Sequence, residues 1–219
     1  MTAMVTMPPA TTERCRQLLQ RWRQDLRLTR REQGLLRGEL TLLDRQLQRL
    51  EHNVLRLAVF GRVGVGKSSL INALVGQRLL ETDVAHGSTR RQQAVTWPLK
   101  LDGLQRVELI DTPGIDEIDA AGRTRLATRV AMGVDLVLLV IDSDLTRCDR
   151  DALETLQASG KPLRLVLNRS DRWPEEQLPE LLDSIRSRLP SDLPLTAVAA
   201  APRQPRLDAD GRVRSSAAP

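Results

Sequence analysis

The stretch that decides the fold reads Gly61-Arg62-Val63-Gly64-Val65-Gly66-Lys67-Ser68. It matches the phosphate-loop pattern G-x-x-x-x-G-K-[ST], and it lies between an apolar run (54–60) and a helix-like run that starts at Ser69. In such a loop, successive backbone N–H groups turn inward around phosphate oxygens, and the following helix directs its positive N-terminus at the same point. We therefore predict that residues 61–69 bind phosphate, with Lys67 at the β- and γ-phosphates and the Ser68 hydroxyl on Mg²⁺.

Composition indicates one globular domain with an appendage. The 219 residues are 41% apolar but only 2% aromatic, and a core of Leu, Val, Ile and Ala suits parallel strands covered by helices. With only two cysteines, a disulfide framework is not expected, and this predicts a protein of the reducing cytoplasm. The excess of 33 basic over 28 acidic residues is compatible with RNA, a ribosome or a membrane surface as partner, and requires none of them.

The N-terminal quarter has a helical repeat. Residues 1–11 are predicted to be disordered, and over 12–53 apolar residues recur at steps of four and three, from Cys15 to Leu50. A single amphipathic helix of that length would extend about 60 Å. Weak seam residues and two glycines predict a break within 29–38. Two interpretations stay open: a coiled-coil arm that pairs in trans or with its own domain, or a helix lying on the domain.

Strand-like and helix-like runs alternate from residue 54 to residue 202, which predicts an α/β domain. The turn Asp102-Gly103 predicts a hairpin and hence one antiparallel edge strand. The rest predicts a doubly wound, mostly parallel six-stranded sheet. The predicted strands are 54–60, 93–101, 105–110, 135–141, 163–167 and 195–199. The predicted helices are 67–75, 121–132, 149–158 and 174–188.

Two short motifs follow predicted strands. Asp111-Thr112-Pro113-Gly114 places a carboxylate at a strand end, where Asp111 would serve the Mg²⁺ shell and the Gly114 N–H would approach the γ-phosphate. Asn168-Arg169-Ser170-Asp171 ends another strand. Asp171 can accept hydrogen bonds from N1–H and the 2-amino group of guanine, and adenine offers neither donor. Asn168 would brace this loop.

The ordered motifs GRVGVGKS, DTPG and NRSD, with a threonine in the polar loop between the first two, resemble the G domain of the Era/TrmE/septin class of P-loop GTPases. The resemblance covers about 54–202. It implies GTP or GDP with Mg²⁺ as ligands, and a molecular switch with slow hydrolysis. It also implies that Thr89 is the first switch threonine, a catalytic residue and Mg²⁺ ligand of the triphosphate state, with Ser88 as the close alternative.

The chain departs from that class at several positions. Arg169 replaces the usual lysine of the base motif; its stem can still cover the guanine base and its guanidinium can stack on it, with a looser fit. The final Ser-Ala pair has no clean match; strand register favours Ala199-Ala200 over Thr196-Ala197 for backbone contact with guanine. Ile115 stands where Ras-like enzymes have the glutamine that orients water. Gly64 stands where some relatives hold potassium with an asparagine.

The C-terminal stretch 203–219 reads as a polar tail, so the final helix of a G domain is predicted to be absent. Together with Ile115, this keeps open an alternative to a slow GTPase, namely a non-hydrolysing nucleotide-binding coiled-coil scaffold, which pairs with a protein partner or with itself through 12–53. A second alternative, a dynamin-like assembly GTPase, is suggested by the helical arm.

Overall fold

The computed structural model describes residues 9–81, 93–117, 119–207 and 213–217. It divides into two compact units, one built from the chain up to residue 55 with 98–107, the other from 56–97 with the chain from 108 onward. Each unit is described by itself.

The first unit is helical, with α1 over Pro9–Asp25, α2 over Arg30–Leu35 and α3 over Arg37–Glu51. The prediction of disorder over 1–11 is wrong for 9–11, since a proline is well placed at the start of a helix; residues 1–8 lie outside the described part. The predicted N-terminal helix is present, but it is divided into three helical segments. Thr29 forms a capping box with Glu32 and starts a new helix there, inside the predicted break.

Helices α1 and α3 run antiparallel and pair with each other through charged side chains. Arg23 contacts Asp44 at 2.8 Å, and Arg16 lies 3.9 Å from Glu51. The partner of α1 in this pair therefore comes from the same chain. The predicted apolar seam is only partly covered, since the side chain of Trp22 is 53% exposed. No helix among the described residues is long and apolar enough to cross a bilayer.

The second unit carries the α/β core. The strands are β1 (Val54–Gly61), β2 (Gln93–Trp97), β3 (Arg106–Asp111), β4 (Leu136–Ile141), β5 (Leu163–Leu167) and β6 (Leu195–Ala197). Their order in the sheet is β2-β3-β1-β4-β5-β6. The pairs β1–β4, β4–β5 and β5–β6 are parallel. The predicted mostly parallel six-stranded sheet with one antiparallel strand is confirmed.

The central strands are continuous apolar runs because helices cover the sheet on both faces. Val137, Leu139, Val140 and Ile141 in β4 are fully buried. The helices are α4 (Lys67–Val75), α5 (Ala120–Gly133), α6 (Arg147–Ala158) and α7 (Gln177–Arg186). Parallel strands end at a common edge, so the loops after β1, β4 and β5 converge there.

The chain beyond β6 forms an antiparallel pair, β7 (Arg203–Leu207) with β8 (Val213–Ala217). The sequence predicted only a polar tail over this stretch. Neither strand has the apolar alternation that identifies a strand in sequence, so this pair could not have been predicted from the pattern.

Candidate nucleotide site

The predicted phosphate loop connects β1 to α4, as its sequence pattern requires. Gly64 and Gly66 adopt φ values of 77° and 91°, a backbone conformation that favours glycine. The Lys67 side chain is buried, and its Nζ donates to the carbonyl oxygens of Gly61 at 3.1 Å and Arg62 at 2.7 Å. Burial lowers the pKa of the Lys67 ammonium, and the nearby Asp111 carboxylate opposes that shift. The Lys67 ammonium is thus held inside the loop by two main-chain carbonyls.

Two of the three predicted Mg²⁺ ligands, Ser68 and Asp111, lie within the described residues and contact each other. The Ser68 Oγ donates to Asp111 Oδ2 at 2.7 Å, and Asp111 is buried at the end of β3. A hydroxyl and a carboxylate are hard oxygen donors, and Mg²⁺ in phosphate sites takes its remaining ligands from water and the substrate. This donor set fits Mg²⁺. The third predicted ligand, Thr89, and its alternative Ser88 lie outside the described residues.

The segment after β3 packs directly on the phosphate loop. Gly114 lies so close to Val63 that a Cβ on this glycine would overlap the Val63 side chain. The next two residues point in different directions. Ile115 is fully buried in the core, whereas the Asp116 Oδ1 accepts a hydrogen bond from the Val63 N–H at 2.6 Å. The residue in the position of the water-orienting glutamine is therefore a core side chain.

The predicted base motif contacts the phosphate loop through Asn168. This side chain is buried; its Nδ2 donates to the Val65 carbonyl at 2.9 Å, and its Oδ1 accepts from the Ala200 N–H at 3.1 Å. The pair Ala199-Ala200 lies just past β6, whereas the alternative Thr196-Ala197 lies within the strand. Asp171 is exposed in a short turn after β5.

A network of ion pairs runs beside these loops. The Arg62 Nε lies 3.1 Å from Asp149, and its Nη2 lies 3.2 Å from Asp142. The Arg169 Nη1 contacts the other oxygen of Asp142 at 2.9 Å. One residue of the phosphate loop and one of the base motif thus share a carboxylate.

Comparison with known proteins agrees with this geometry. The family model described as 50S ribosome-binding GTPase matches residues 56–169, slightly more than half of the chain. The chain belongs to this GTPase family. The predicted resemblance to the Era/TrmE class is thereby confirmed.

Curated relatives lie within the same family. GTPase Der of Rhizobium johnstonii is 42% identical over 121 residues, which is 52% of this chain and 25% of that protein. GTPase Era of Synechocystis sp. is 36% identical over 132 residues, 57% of this chain and 40% of that protein. The chain therefore spans well under half the length of these relatives.

A solved structure supports the fold. The crystal structure of Era in complex with MgGDPNP and a fragment of 16S ribosomal RNA has a TM-score of 0.58 and is 24% identical, and the match covers 68% of this chain and 51% of that one. At this identity, the similarity bears on architecture alone.

Three carboxylates of this GTPase domain were missed by sequence reasoning: Asp116, Asp142 and Asp149. Asp142 directly follows β4 at the edge where the loops converge, a signal that could have found it. Asp149 belongs to a capping box with Thr146, a recognisable pattern at a helix start. Nothing in the local sequence marks the contact of Asp116 with the backbone of Val63.

Proposed function

We propose that this chain is a guanine-nucleotide-binding switch that hydrolyses GTP slowly with Mg²⁺. The observation that carries the proposal is the contact of Asn168 with the Val65 carbonyl, because it joins the base motif to the phosphate loop in one site. Family membership makes GTP the expected nucleotide.

The residues of the phosphate loop would bind and orient the nucleotide. Lys67 now donates to two loop carbonyls, and we propose that it turns to the β- and γ-phosphates when they enter. Backbone N–H groups of residues 61–69 would supply further donors. Ser68 and Asp111, 2.7 Å apart, would hold Mg²⁺, which supplies charge neutralisation at the β- and γ-phosphate oxygens.

Recognition of guanine is proposed for Asp171, with Ala200 contributing its backbone. A carboxylate that accepts from N1–H and the 2-amino group rejects adenine, since adenine lacks both donors. Asn168 would fix the loops that carry these two contacts, through its bonds to Val65 and Ala200.

Slow turnover is proposed because the chain lacks a water-orienting side chain at residue 115. Ile115 is fully buried and cannot hydrogen-bond water. Lys67 and the metal would still stabilise charge on the transferred phosphoryl group, so hydrolysis would proceed without fast catalysis. Gly114 lies against Val63, and loss of the γ-phosphate would free the segment behind it.

Single-turnover hydrolysis of GTP tests the proposal. We expect slow, Mg²⁺-dependent release of phosphate, and a rate about tenfold lower for Ser68→Ala because one metal ligand is lost. Ser159→Ala removes a hydroxyl outside the site and should leave the rate unchanged. GTP binding with no hydrolysis in the wild type would favour the non-hydrolysing scaffold, which the family relationship does not favour.

We further propose a cytoplasmic location, supported by the two cysteines, both free thiols.

We also propose that the segment 12–53 associates with a protein partner. The exposed Trp22 on α1 supports it, because α3 does not cover that side chain.

A further inference from the structure

The base motif of this chain contains an arginine where the resembled class has a lysine. Arg169 also adopts a φ of 59°, a left-handed backbone conformation that is uncommon for a residue with a side chain. Such a conformation persists only where the surroundings hold it in place. The contacts of the Arg169 side chain are therefore one part of what holds this loop.

The Asp142 carboxylate contacts two arginines, one through each oxygen. Oδ2 lies 2.9 Å from the Arg169 Nη1, and Oδ1 lies 3.2 Å from the Arg62 Nη2. All three side chains are about one-fifth exposed, so solvent screens these pairs less than it screens pairs on the open surface. One arginine belongs to the phosphate loop and the other to the base motif of the proposed nucleotide site.

Arg62 is itself held by a buried carboxylate. Its Nε donates to both oxygens of Asp149, at 3.1 and 3.2 Å, and Asp149 is completely buried. Asp149 is in turn held by the N–H and hydroxyl of Thr146 at the start of α6. Asp142 thus connects the base motif, through Arg62, to the buried Asp149 at the start of α6.

We propose that Asp142 is a positioning residue that couples guanine recognition to phosphate binding. This inference rests on the proposed function. By holding Arg169 against Arg62, the carboxylate keeps the base motif at the correct distance from the phosphate loop. A nucleotide that contacts both ends then depends on Asp142, whereas a ligand that contacts the phosphate loop alone depends on it much less.

Calorimetric titration with GDP and with inorganic pyrophosphate, both with Mg²⁺, compares the affinities of a ligand that contacts both motifs and a ligand that contacts the phosphate loop alone. Asp142→Asn keeps the shape and removes the charge. We expect it to weaken GDP about tenfold, the effect of losing one charge-assisted contact, and to weaken pyrophosphate clearly less. The matched control is Asp144→Asn, since Asp144 pairs with Arg188 at 2.7 Å, outside the network. Its GDP affinity should stay within about twofold of the wild type.

A double-mutant cycle shows whether the ion pair between Asp142 and Arg169 is responsible for the change in GDP affinity. Arg169→Met removes the guanidinium and keeps an apolar stem over the loop. If the ion pair carries the effect, Asp142→Asn and Arg169→Met combined should weaken GDP less than the product of their separate factors. Each nucleotide-free variant should still melt in a single cooperative transition, which excludes a general loss of folding.

Two results would overturn the inference alone: equal loss of GDP and pyrophosphate affinity in Asp142→Asn, or independent effects in the cycle. A wild-type chain that binds pyrophosphate but not GDP would instead overturn the proposed function, and this inference with it.

Discussion

The side-chain amide of Asn168 donates a hydrogen bond to the main-chain carbonyl of Val65 at 2.9 Å. This bond joins two motifs that are 103 residues apart in sequence. The same side chain accepts from the Ala200 N–H, so three loops at the carboxyl edge of the sheet meet at one buried amide. The arrangement of the proposed site depends on it.

We expect Asn168→Ala to lower the free energy of unfolding by about 2 kcal/mol, because the buried Val65 carbonyl and the half-buried Ala200 N–H both lose their partner. Asn168→Asp keeps an oxygen for the Ala200 N–H but places a carboxylate against the Val65 carbonyl oxygen, so it should destabilise the protein as well. Urea unfolding of the nucleotide-free proteins measures both. A loss below about 0.5 kcal/mol for Asn168→Ala would show that the contact is not structural.

Much of the fold could be predicted from local pattern. The phosphate loop and the apolar runs of β4 and β5 are strong signals, because buried parallel strands read as continuous apolar stretches. The helical arm could not be predicted as two antiparallel helices. Its heptad spacing is the same in a long helix and in a folded pair, and the pairing of Arg23 with Asp44 is a tertiary contact.

The candidate site was predictable only where a motif marks it. Lys67, Ser68, Asp111 and Asn168 stand at fixed places in motifs, and the structure brings Ser68 to Asp111 and Asn168 to the phosphate loop. Asp142 lies in no motif, and its role depends on two arginines distant in sequence. Such a contact becomes visible only when the loops are placed in space.

We expect Asp171→Asn to weaken GDP binding and to improve binding of xanthosine diphosphate. The 2-oxo group of xanthine is an acceptor, which an amide donor can meet and a carboxylate cannot. Competition between the two nucleotides for wild type and variant measures the change. Asp192→Asn is a matched control, because Asp192 is also exposed and lies outside the site. Guanine preference retained in Asp171→Asn would contradict the base-site assignment.

We expect residues 20 and 51 to lie close together in solution, because Gln20 and Glu51 are hydrogen-bonded across α1 and α3. In one continuous helix, 31 residues would separate them by about 46 Å. Spin labels at Gln20→Cys and Glu51→Cys, with both native cysteines replaced by serine, report this distance by pulsed electron resonance. A distance near the longer value would show that the arm is extended.

We expect the Asp144 carboxylate to contribute a small amount to the free energy of unfolding, and we expect acid to reduce that contribution. Burial raises the pKa of this carboxyl, but bonds from Arg188 and the Leu145 N–H outweigh burial and lower it below its ordinary value of 3.8. A lowered folded pKa stabilises the protein above the unfolded pKa, and that stabilisation is lost as pH falls through the folded pKa. The side chain is 40% exposed, so the contribution is below about 0.5 kcal/mol.

Urea midpoints of wild type and Asp144→Asn at pH 7 and pH 3 check this sign. The wild type should be slightly more stable at pH 7, and the difference should shrink at pH 3. A difference that grows toward acid would contradict the assignment.

Equilibrium binding of GTP and ATP, each with Mg²⁺, to the same preparation tests the central claim most directly. A site built around Asp171 and a phosphate loop braced by Asn168 predicts GTP binding at least about a hundredfold tighter than ATP binding. Equal affinities, or tighter binding of ATP, would contradict the account.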